Sequence, residues 1–157
     1  MTTRRLLAIL AHPDDETLGF GGALAKYAAE GVETFLVTAT RGEYGWFGAP
    51  EENPGPAELG RIRETELPRA AAILGVREVT ILDYIDSHLD QAAPAAVIAE
   101  LAGVIREIRP DVVVTFGQDG IYGHPDHIAI SQFATAAVLR AASPGNGPHH
   151  PGHEVSK

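Results

Sequence analysis

Four short apolar runs alternate with longer amphipathic stretches along this chain, and that alternation constrains its fold more than any other feature. The runs are typical of strands buried on both faces and comprise residues 5–11, 34–39, 79–82 and 112–116. Helical patterns cover residues 17–30, 58–74, 95–108 and a last stretch from Pro125 or Asp126 to about Ala142. We therefore predict an α/β fold, a three-layer Rossmann-like open sheet that is mostly parallel, with helices on both faces.

The helical patterns end at recognisable stop signals and leave a short tail. Gly31 and Gly75 are predicted to end two of the helices, and Pro68 is predicted to kink or split the helix over 58–74. With 157 residues the chain is long enough for one domain with a real core. We predict a domain over residues 1–142 and a disordered tail, rich in Pro, Gly and His, over residues 143–157.

Charge and cysteine content exclude several function classes. The net charge is −9 and the 12 Lys and Arg residues are scattered, so no nucleic-acid partner is expected. The absence of cysteine excludes disulfides, thiolate ligands and a cysteine nucleophile, so any metal must have nitrogen and oxygen ligands. It is also compatible with a reducing compartment, and we expect a cytoplasmic location. No apolar run comes near about 18 residues, so no transmembrane segment is predicted.

A first cluster of metal-capable side chains, residues 12–16, follows the first predicted strand. His12 and Asp15 stand three residues apart on a turn that Pro13 stiffens, so both can face one cation. Asp14 points elsewhere, because adjacent side chains on a turn diverge, and a carboxylate beside a metal-activated water can act as a general base. The alternative is that Asp14 or Asp15 serves only as the N-cap of the next helix.

A second cluster, residues 124–127, follows the fourth predicted strand. His124 and His127 share one face at a helix start, and either one completes a two-histidine, one-carboxylate set with an open position, which is the form of catalytic zinc sites. Asp126 is placed to orient a histidine by hydrogen bonding. Ligands bind open parallel sheets beyond the carboxyl ends of the strands, so we expect the two clusters to meet there around one ion.

Two glycine-rich segments have competing interpretations. Residues 19–22, Gly-Phe-Gly-Gly, invite a dinucleotide-binding interpretation, but the full motif needs a glycine where Leu24 stands, and the acidic residues 14–16 would repel a pyrophosphate. The loop over residues 42–56 carries aromatic side chains that either line a substrate mouth or belong to an ordinary surface loop. We favour metal-assisted hydrolysis over a nucleotide-binding module.

Three motifs of this chain resemble those of the LmbE-like or PIG-L family of N-acetylglucosaminyl deacetylases. They lie at residues 11–16, at residues 59–67 with Arg63 and Glu66, and at residues 123–127. Their order and spacing also agree, and the resemblance extends over about residues 4–140. It implies a Zn²⁺ ion, with other divalent ions left open.

The resemblance also implies a role for each site residue. The metal ligands would be His12, Asp15 and His127. Asp14 would be the general base on the attacking water. His124, supported by Asp126, would stabilise the oxyanion or protonate the leaving amine, and Arg63 would contact the substrate sugar.

The function that the resemblance implies is a zinc-dependent hydrolase that removes the acetyl group from an N-acetylglucosaminyl compound. The expected partner is a small N-acetylated sugar conjugate, whose aglycone stays open, as does assembly into a homo-oligomer. Family members usually continue beyond the last helix with strands and a helix that complete the pocket, whereas this chain has the tail over residues 143–157. The alternative is therefore a truncated, non-catalytic metal- or sugar-binding domain of the same fold.

Overall fold

A four-stranded, all-parallel sheet forms the centre of the protein, and the prediction of a parallel sheet is confirmed. The computed structural model describes residues 3–144 and 151–157. The strands lie in the spatial order β3-β2-β1-β4, and Leu7 in β1 pairs with Phe35 in β2 and with Val113 in β4. Their bounds are β1 (Arg5–Leu10), β2 (Glu33–Thr40), β3 (Val76–Tyr84) and β4 (Val112–Val114).

Helices cover the sheet and complete the predicted three-layer α/β architecture. Their bounds are α1 (Asp15–Leu18), α2 (Gly21–Ala29), α3 (Pro56–Ile73), α4 (Pro94–Ile108), α5 (Gly120–Gly123) and α6 (Pro125–Ala142), with 3-10 turns at Pro50–Glu52 and Leu89–Gln91. Helices α4 and α6 pack against each other and on β1, whereas α2 and α3 contact the β2–β3 half of the sheet. Within the described ranges, no helix combines the length and apolar character needed to cross a bilayer.

The core is densest along the two inner strands. The side chains of residues 7–11 have no solvent exposure, and β2 is buried from Thr34 to Thr40. The prediction that all four strands are buried on both faces is wrong for β3 and β4, which are mostly half-buried, because they are the two edges of the four-stranded sheet. Strand β1 is buried from Leu6 to Leu10 and ends two residues before His12, so the first motif is attached to the buried centre of the fold.

Two helix predictions are wrong in detail. The helix predicted over residues 17–30 is interrupted at Gly19 and Phe20, where the Phe20 ring leaves the helical path and packs edge-on against Phe116 with 5.7 Å between centroids. Of the two outcomes predicted for Pro68, the split does not occur, because α3 runs continuously past it. Leu67 and Ala71, on either side of the proline, are both buried, and this packing holds the helix together where one backbone hydrogen bond is lost.

The C-terminal seven residues contact the domain, in contrast to the disordered tail predicted for residues 143–157. The backbone amides of Ser156 and Lys157 donate to the carbonyl of Asp111, and the amide of Val113 donates to the carbonyl of Lys157, so this segment lies along the free side of β4. His153 adds contacts through its backbone amide to the carbonyl of Ala141 and through Nε2 to the carbonyl of Pro110. Residues 145–150 of the predicted tail lie outside the described residues.

Replacing Gly75 with alanine is expected to lower the free energy of unfolding by about 1–2 kcal/mol or more. Gly75 follows α3 with a left-handed φ of +76°, and an added Cβ would stand 2.7 Å from Cβ of Ala28. Gly103→Ala is the matched control, because Gly103 lies inside α4 with no neighbour within 4 Å of an added Cβ, and there alanine should stabilise by about 0.5–1 kcal/mol. Urea denaturation of both variants measures the difference, and equal effects would contradict the explanation.

Candidate metal centre

The two predicted clusters meet at the carboxyl edge of the sheet. His12 follows β1, and residues 124–127 follow β4 at the start of α6, so both clusters face a cleft of about 230 Å³. Strands β1 and β4 are direct neighbours, which explains why segments more than a hundred residues apart come together. The cleft is lined by both clusters and by residues from the loops that follow β2 and β3.

Three side chains, those of His12, Asp15 and His127, bring metal-capable nitrogen and oxygen atoms close together. The Nε2 atom of His127 lies 3.2 Å from Nδ1 of His12 and 3.3 Å from Oδ1 of Asp15. The Nδ1 atom of His12 lies 3.6 Å from Oδ2 of Asp15. Ligand atoms around a tetrahedral zinc ion with bonds of about 2.0–2.1 Å stand about 3.3 Å apart. The distances, two of which involve different oxygens of Asp15, are close to this spacing and make the three side chains a candidate site for one small divalent ion.

The fold holds each of these ligands in place. The backbone amide of His12 donates to Oδ2 of Asp15 at 2.8 Å, which fixes the turn between them. The ring of His127 stacks on Phe116 with 4.0 Å between centroids and 7° between planes, and its Nδ1 lies 3.3 Å from the carbonyl oxygen of Gly120. All three candidate ligands are buried, and the contacts above hold them in place without a metal.

Without a metal the site is a compact charge cluster. Burial by itself lowers the pKa of His12, but hydrogen bonds to Asp126, Asp15 and Asp86 outweigh it and raise the pKa to about 11. Burial likewise raises the pKa of Asp15, but hydrogen bonds from His12 and His127 outweigh it and hold this pKa well below its usual range. In the metal-free protein at neutral pH, His12 is therefore an imidazolium that compensates the buried carboxylates, and a divalent cation can take over that compensation.

Asp126 is fully buried and orients His12 rather than either histidine of its own cluster. Its Oδ2 lies 3.1 Å from Nε2 of His12, on the opposite side of the ring from the ligand atom. The backbone amides of Ser87 and Leu89 donate to its two oxygens at 2.7 Å and 3.1 Å. A carboxylate held in this way fixes the tautomer that leaves Nδ1 of His12 free for a metal.

His124 lies beside the ligand set with one ring nitrogen already engaged. Its Nδ1 accepts the backbone amide of Asp126 at 3.2 Å, so the proton of the neutral ring belongs on Nε2. Burial, followed by the charges of His12 and His127, lowers the pKa of His124, so the ring is neutral at pH 7. The sequence left open which histidine is the ligand. His12, His124 and Asp126 also lie close enough for a second candidate ligand set, in which Nε2 of His12 already contacts Asp126 and Nδ1 of His124 already accepts the Asp126 amide.

Asp14 adjoins the ligand set but directs its carboxylate elsewhere. Its Oδ2 accepts a 2.7 Å hydrogen bond from Nη2 of Arg63, whose Nη1 donates to the carbonyl of Gly42 at 3.1 Å. The guanidinium of Arg63 also lies over the ring of Phe47, 5.7 Å from its centroid. Burial raises the pKa of Asp14 above its usual value, and the positive charge of Arg63 opposes that rise. The carboxylate thus lines the cleft and belongs to neither of the two candidate ligand groups among the described residues.

The N-cap alternative holds for the position of Asp14 but not for its side chain. Asp14 occupies the N-cap position of α1, yet its side chain makes no capping hydrogen bond. Its φ of +111° is rare for a residue other than glycine, and such strain concentrates at functional sites. At this strained position the Asp14 carboxylate faces Arg63, whereas the Asp15 carboxylate faces His127 at the candidate metal centre.

The structure adds residues that the motifs did not indicate. Asp86, which is 3% exposed, places Oδ1 3.1 Å from Nε2 of His12. Tyr122 packs edge-on against His124 and His127, and Tyr44 lines the same cleft. Asp86 and Tyr44 follow β3 and β2, so the rule that sites lie at carboxyl ends of strands and the aromatic loop over residues 42–56 point to these side chains but not to their contacts.

A second cavity adjoins the cleft and provides room for a larger ligand. It measures about 390 Å³ and shares Asp14, Phe47 and Arg63 with the cleft. Leu18 and Leu67 make its remaining wall mostly apolar. The Asp14–Arg63 pair therefore separates a polar compartment that contains the candidate ligands from an apolar one.

Comparisons with known proteins agree on one family. A family model described as PIG-L, GlcNAc-PI de-N-acetylase, matches residues 7–138. A 1D-myo-inositol 2-acetamido-2-deoxy-alpha-D-glucopyranoside deacetylase of Thermobifida fusca is 42% identical over 164 residues, which are 92% of this chain and 57% of that protein. The protein of the same name from Tsukamurella paurometabola is also 42% identical, over 91% of this chain and 58% of its own length. The chain thus spans somewhat more than half the length of these curated relatives.

Solved structures share the fold across different reactions. The N,N'-diacetylchitobiose deacetylase of Pyrococcus horikoshii superposes with a TM-score of 0.79 at 31% identity, over 90% of this chain and 52% of that one. GalB, the 4-carboxy-2-hydroxymuconate hydratase of Pseudomonas putida, superposes with a TM-score of 0.86 at 26% identity, over 98% of this chain and 63% of that one. From the family match over residues 7–138 and the identity to these relatives, we conclude that the chain belongs to the PIG-L family.

Proposed function

We propose that this protein is a zinc-dependent hydrolase that removes the acetyl group from an N-acetylated amino-sugar conjugate. The observation that carries the proposal is the cluster of His12, Asp15 and His127, in which Nδ1 of His12 lies 3.2 Å from Nε2 of His127 and each nitrogen lies 3.3–3.6 Å from one of the two carboxylate oxygens of Asp15. These residues would hold the ion, and the fourth position stays open to solvent and substrate. When bound, zinc lowers the pKa of a coordinated water to about 7 and polarises a carbonyl group.

The residues around the ligand set divide the remaining work. Asp14 has a carboxylate that is not a ligand, so it can accept the proton of the attacking water. His124 presents a neutral ring with its proton on Nε2, which can donate a hydrogen bond to the oxyanion of the tetrahedral intermediate. The proton that Asp14 takes from the water can then pass to the leaving amine. Arg63 keeps Asp14 in place and offers its guanidinium to a polar substituent of the sugar. Asp126 holds the His12 ring.

The relatives support the substrate class. Proteins at 42% identity carry the name of a deacetylase of a glucosaminyl inositol, and one superposed structure is a diacetylchitobiose deacetylase. Both names describe removal of an acetyl group from a 2-acetamido sugar joined to a second ring. We propose a conjugate of this kind, with cyclitol and sugar aglycones as the compounds to compare. The cytoplasmic location, the homo-oligomer and the choice of zinc over other divalent ions stay predictions.

Acetate release from defined substrates tests the proposal. The protein loaded with zinc is incubated with N-acetylglucosaminyl inositol, with N,N'-diacetylchitobiose and with free N-acetylglucosamine, and acetate and free amine are measured together. Equal amounts of acetate and amine from at least one conjugate are expected. Stoichiometric zinc binding without acetate from any of the three would favour the non-catalytic alternative. Acetate and amine are both measured because GalB, which shares the fold, is a hydratase, and hydration of a substrate releases neither acetate nor amine.

Zinc binding is expected to release a proton from His12. Its pKa of about 11 means that the metal-free protein carries this proton at pH 7.5, and a bound cation on Nδ1 must displace it. The apparent affinity should therefore rise about tenfold per pH unit over the neutral range. Calorimetric titration in buffers of different ionisation enthalpy measures the released proton directly. Heats that do not depend on the buffer would contradict a protonated His12.

A further inference from the structure

The ring of His12 is contacted by two carboxylates on the side that faces away from the ion position. Nε2 lies 3.1 Å from Oδ2 of Asp126 and 3.1 Å from Oδ1 of Asp86. The roles proposed above use Asp126 and leave Asp86 without one. Since Asp86 is buried and charged, its position must be fixed by other contacts, and those contacts bear on the direction of the His12 ring.

Asp86 is held by a reciprocal pair of hydrogen bonds with the segment that follows β2. The backbone amide of Tyr44 donates to its Oδ2 at 2.9 Å, and the backbone amide of Asp86 donates to Oε1 of Glu43 at 3.0 Å. Strands β2 and β3 are neighbours, so this brace ties together the two loops that leave them. The loop after β2 contains Gly42, Gly45 and Gly48, which have no side chains to pack.

Glu43 has no contact of its own with the candidate metal centre. One carboxylate oxygen accepts the Asp86 amide, and the other is buried with no partner among the residues that the structure describes. Burying a carboxylate oxygen without a donor is unfavourable, so the hydrogen bond to Asp86 is what Glu43 contributes at this position. The chain of contacts runs from Glu43 to Asp86 and from Asp86 to the distal nitrogen of His12.

We propose that Glu43 is a positioning residue for the metal centre, which holds Asp86 so that Asp86 and Asp126 together fix the ring direction and tautomer of His12. The proposal rests on the metal centre of the proposed function. It requires that the ion bind, and it does not depend on which substrate is hydrolysed. Groups that orient a metal-bound histidine typically contribute about 10- to 100-fold to metal affinity.

Three substitutions at Glu43 separate the reach of the side chain from its charge. Glu43→Asp keeps the charge but is one methylene too short for the Asp86 amide, and Glu43→Ala removes both. Each should weaken zinc affinity about 10- to 100-fold in a competition titration with a chelator. Glu43→Gln keeps the length and the acceptor oxygen and should rescue most of the affinity. The exposed Glu51, on the 3-10 turn at Pro50–Glu52, supplies the control Glu51→Asp, with no change expected.

Two outcomes would overturn the proposal. In the first, Glu43→Gln binds zinc weakly and Glu43→Asp binds it tightly. Zinc affinity would then depend on the charge at this position, which would show long-range electrostatics instead of positioning. Lower thermal stability of the metal-free protein with unchanged zinc affinity would show a role in the fold alone. In an Asp86→Ala background, Glu43→Asp should have no further effect on zinc affinity, and additive losses would also exclude the chain of contacts. Because zinc alone is the probe, failure to find a substrate would not affect this test.

Discussion

Asp14→Asn is expected to lower the rate of acetate release by about 10²- to 10⁴-fold while zinc binding stays intact, because that is the usual contribution of a general base. The Asp14 carboxylate is outside the ligand set, so the substitution leaves His12, Asp15 and His127 unchanged. Asparagine has the same shape and tolerates the positive φ of this position, but it cannot take up a proton. An alanine here would combine chemical loss with backbone strain and is the poorer test.

The control for this substitution is Asp90→Asn. Asp90 is exposed on the 3-10 turn at Leu89–Gln91, so its amide variant should keep both zinc and activity. The measurement is kcat/KM for acetate release together with the zinc content of each purified variant. If Asp14→Asn retained full activity, the base would have to be another group. If it lost zinc, Asp14 would belong to the ligand set and the division between the two neighbouring aspartates would be wrong.

The parallel sheet could be predicted because its signal is local. Each inner strand is a continuous apolar run, and each run is followed by a helix pattern, so periodicity alone indicates a parallel α/β sheet. The same local logic failed at Phe20 and Pro68. The Phe20 ring interrupts the helix to reach Phe116, which lies 96 positions away, and buried neighbours carry α3 past Pro68. Packing between distant segments decided both cases, and the pattern within one segment contains no information about it.

The candidate site, like the fold, could be predicted only where its signal lies within one short segment of the sequence. The i,i+3 spacing in each cluster and the position after a strand indicate metal ligands at the carboxyl edge of the sheet. Local spacing could not assign Asp126 to His12, which lies 114 positions away, or pair Asp14 with Arg63. It also treated His124 and His127 alike. They differ because Phe116 and Gly120 fix the ring of His127, whereas the Asp126 amide occupies Nδ1 of His124.

Replacing His127 with alanine is expected to abolish the stabilisation that zinc gives to the folded protein. A ligand that binds only the folded state at about 1,000 times its dissociation constant stabilises by about 4 kcal/mol. For a domain of this size, that corresponds to a rise in Tm of roughly 8–16 °C. His127→Ala leaves two protein ligands, so the rise should disappear. The quantity compared is the difference between zinc-loaded and metal-free Tm for each variant, because the cavity beside Phe116 lowers both values.

His124→Ala is the matched variant that decides between the two histidines. Its ring adjoins that of His127, with 4.7 Å between centroids, so both substitutions remove an imidazole from the same cleft. If His127 is the ligand and His124 the group that stabilises the oxyanion, His124→Ala keeps the zinc-dependent rise in Tm and loses most acetate release. The reverse pattern would make His124 the ligand and would require Nδ1 to give up the Asp126 amide or Nε2 to turn toward the ion. Loss of the zinc-dependent rise in Tm in both variants would mean that His12, Asp15, His124 and His127 all hold the ion. No open position would then remain for a water, which would exclude the proposed hydrolysis.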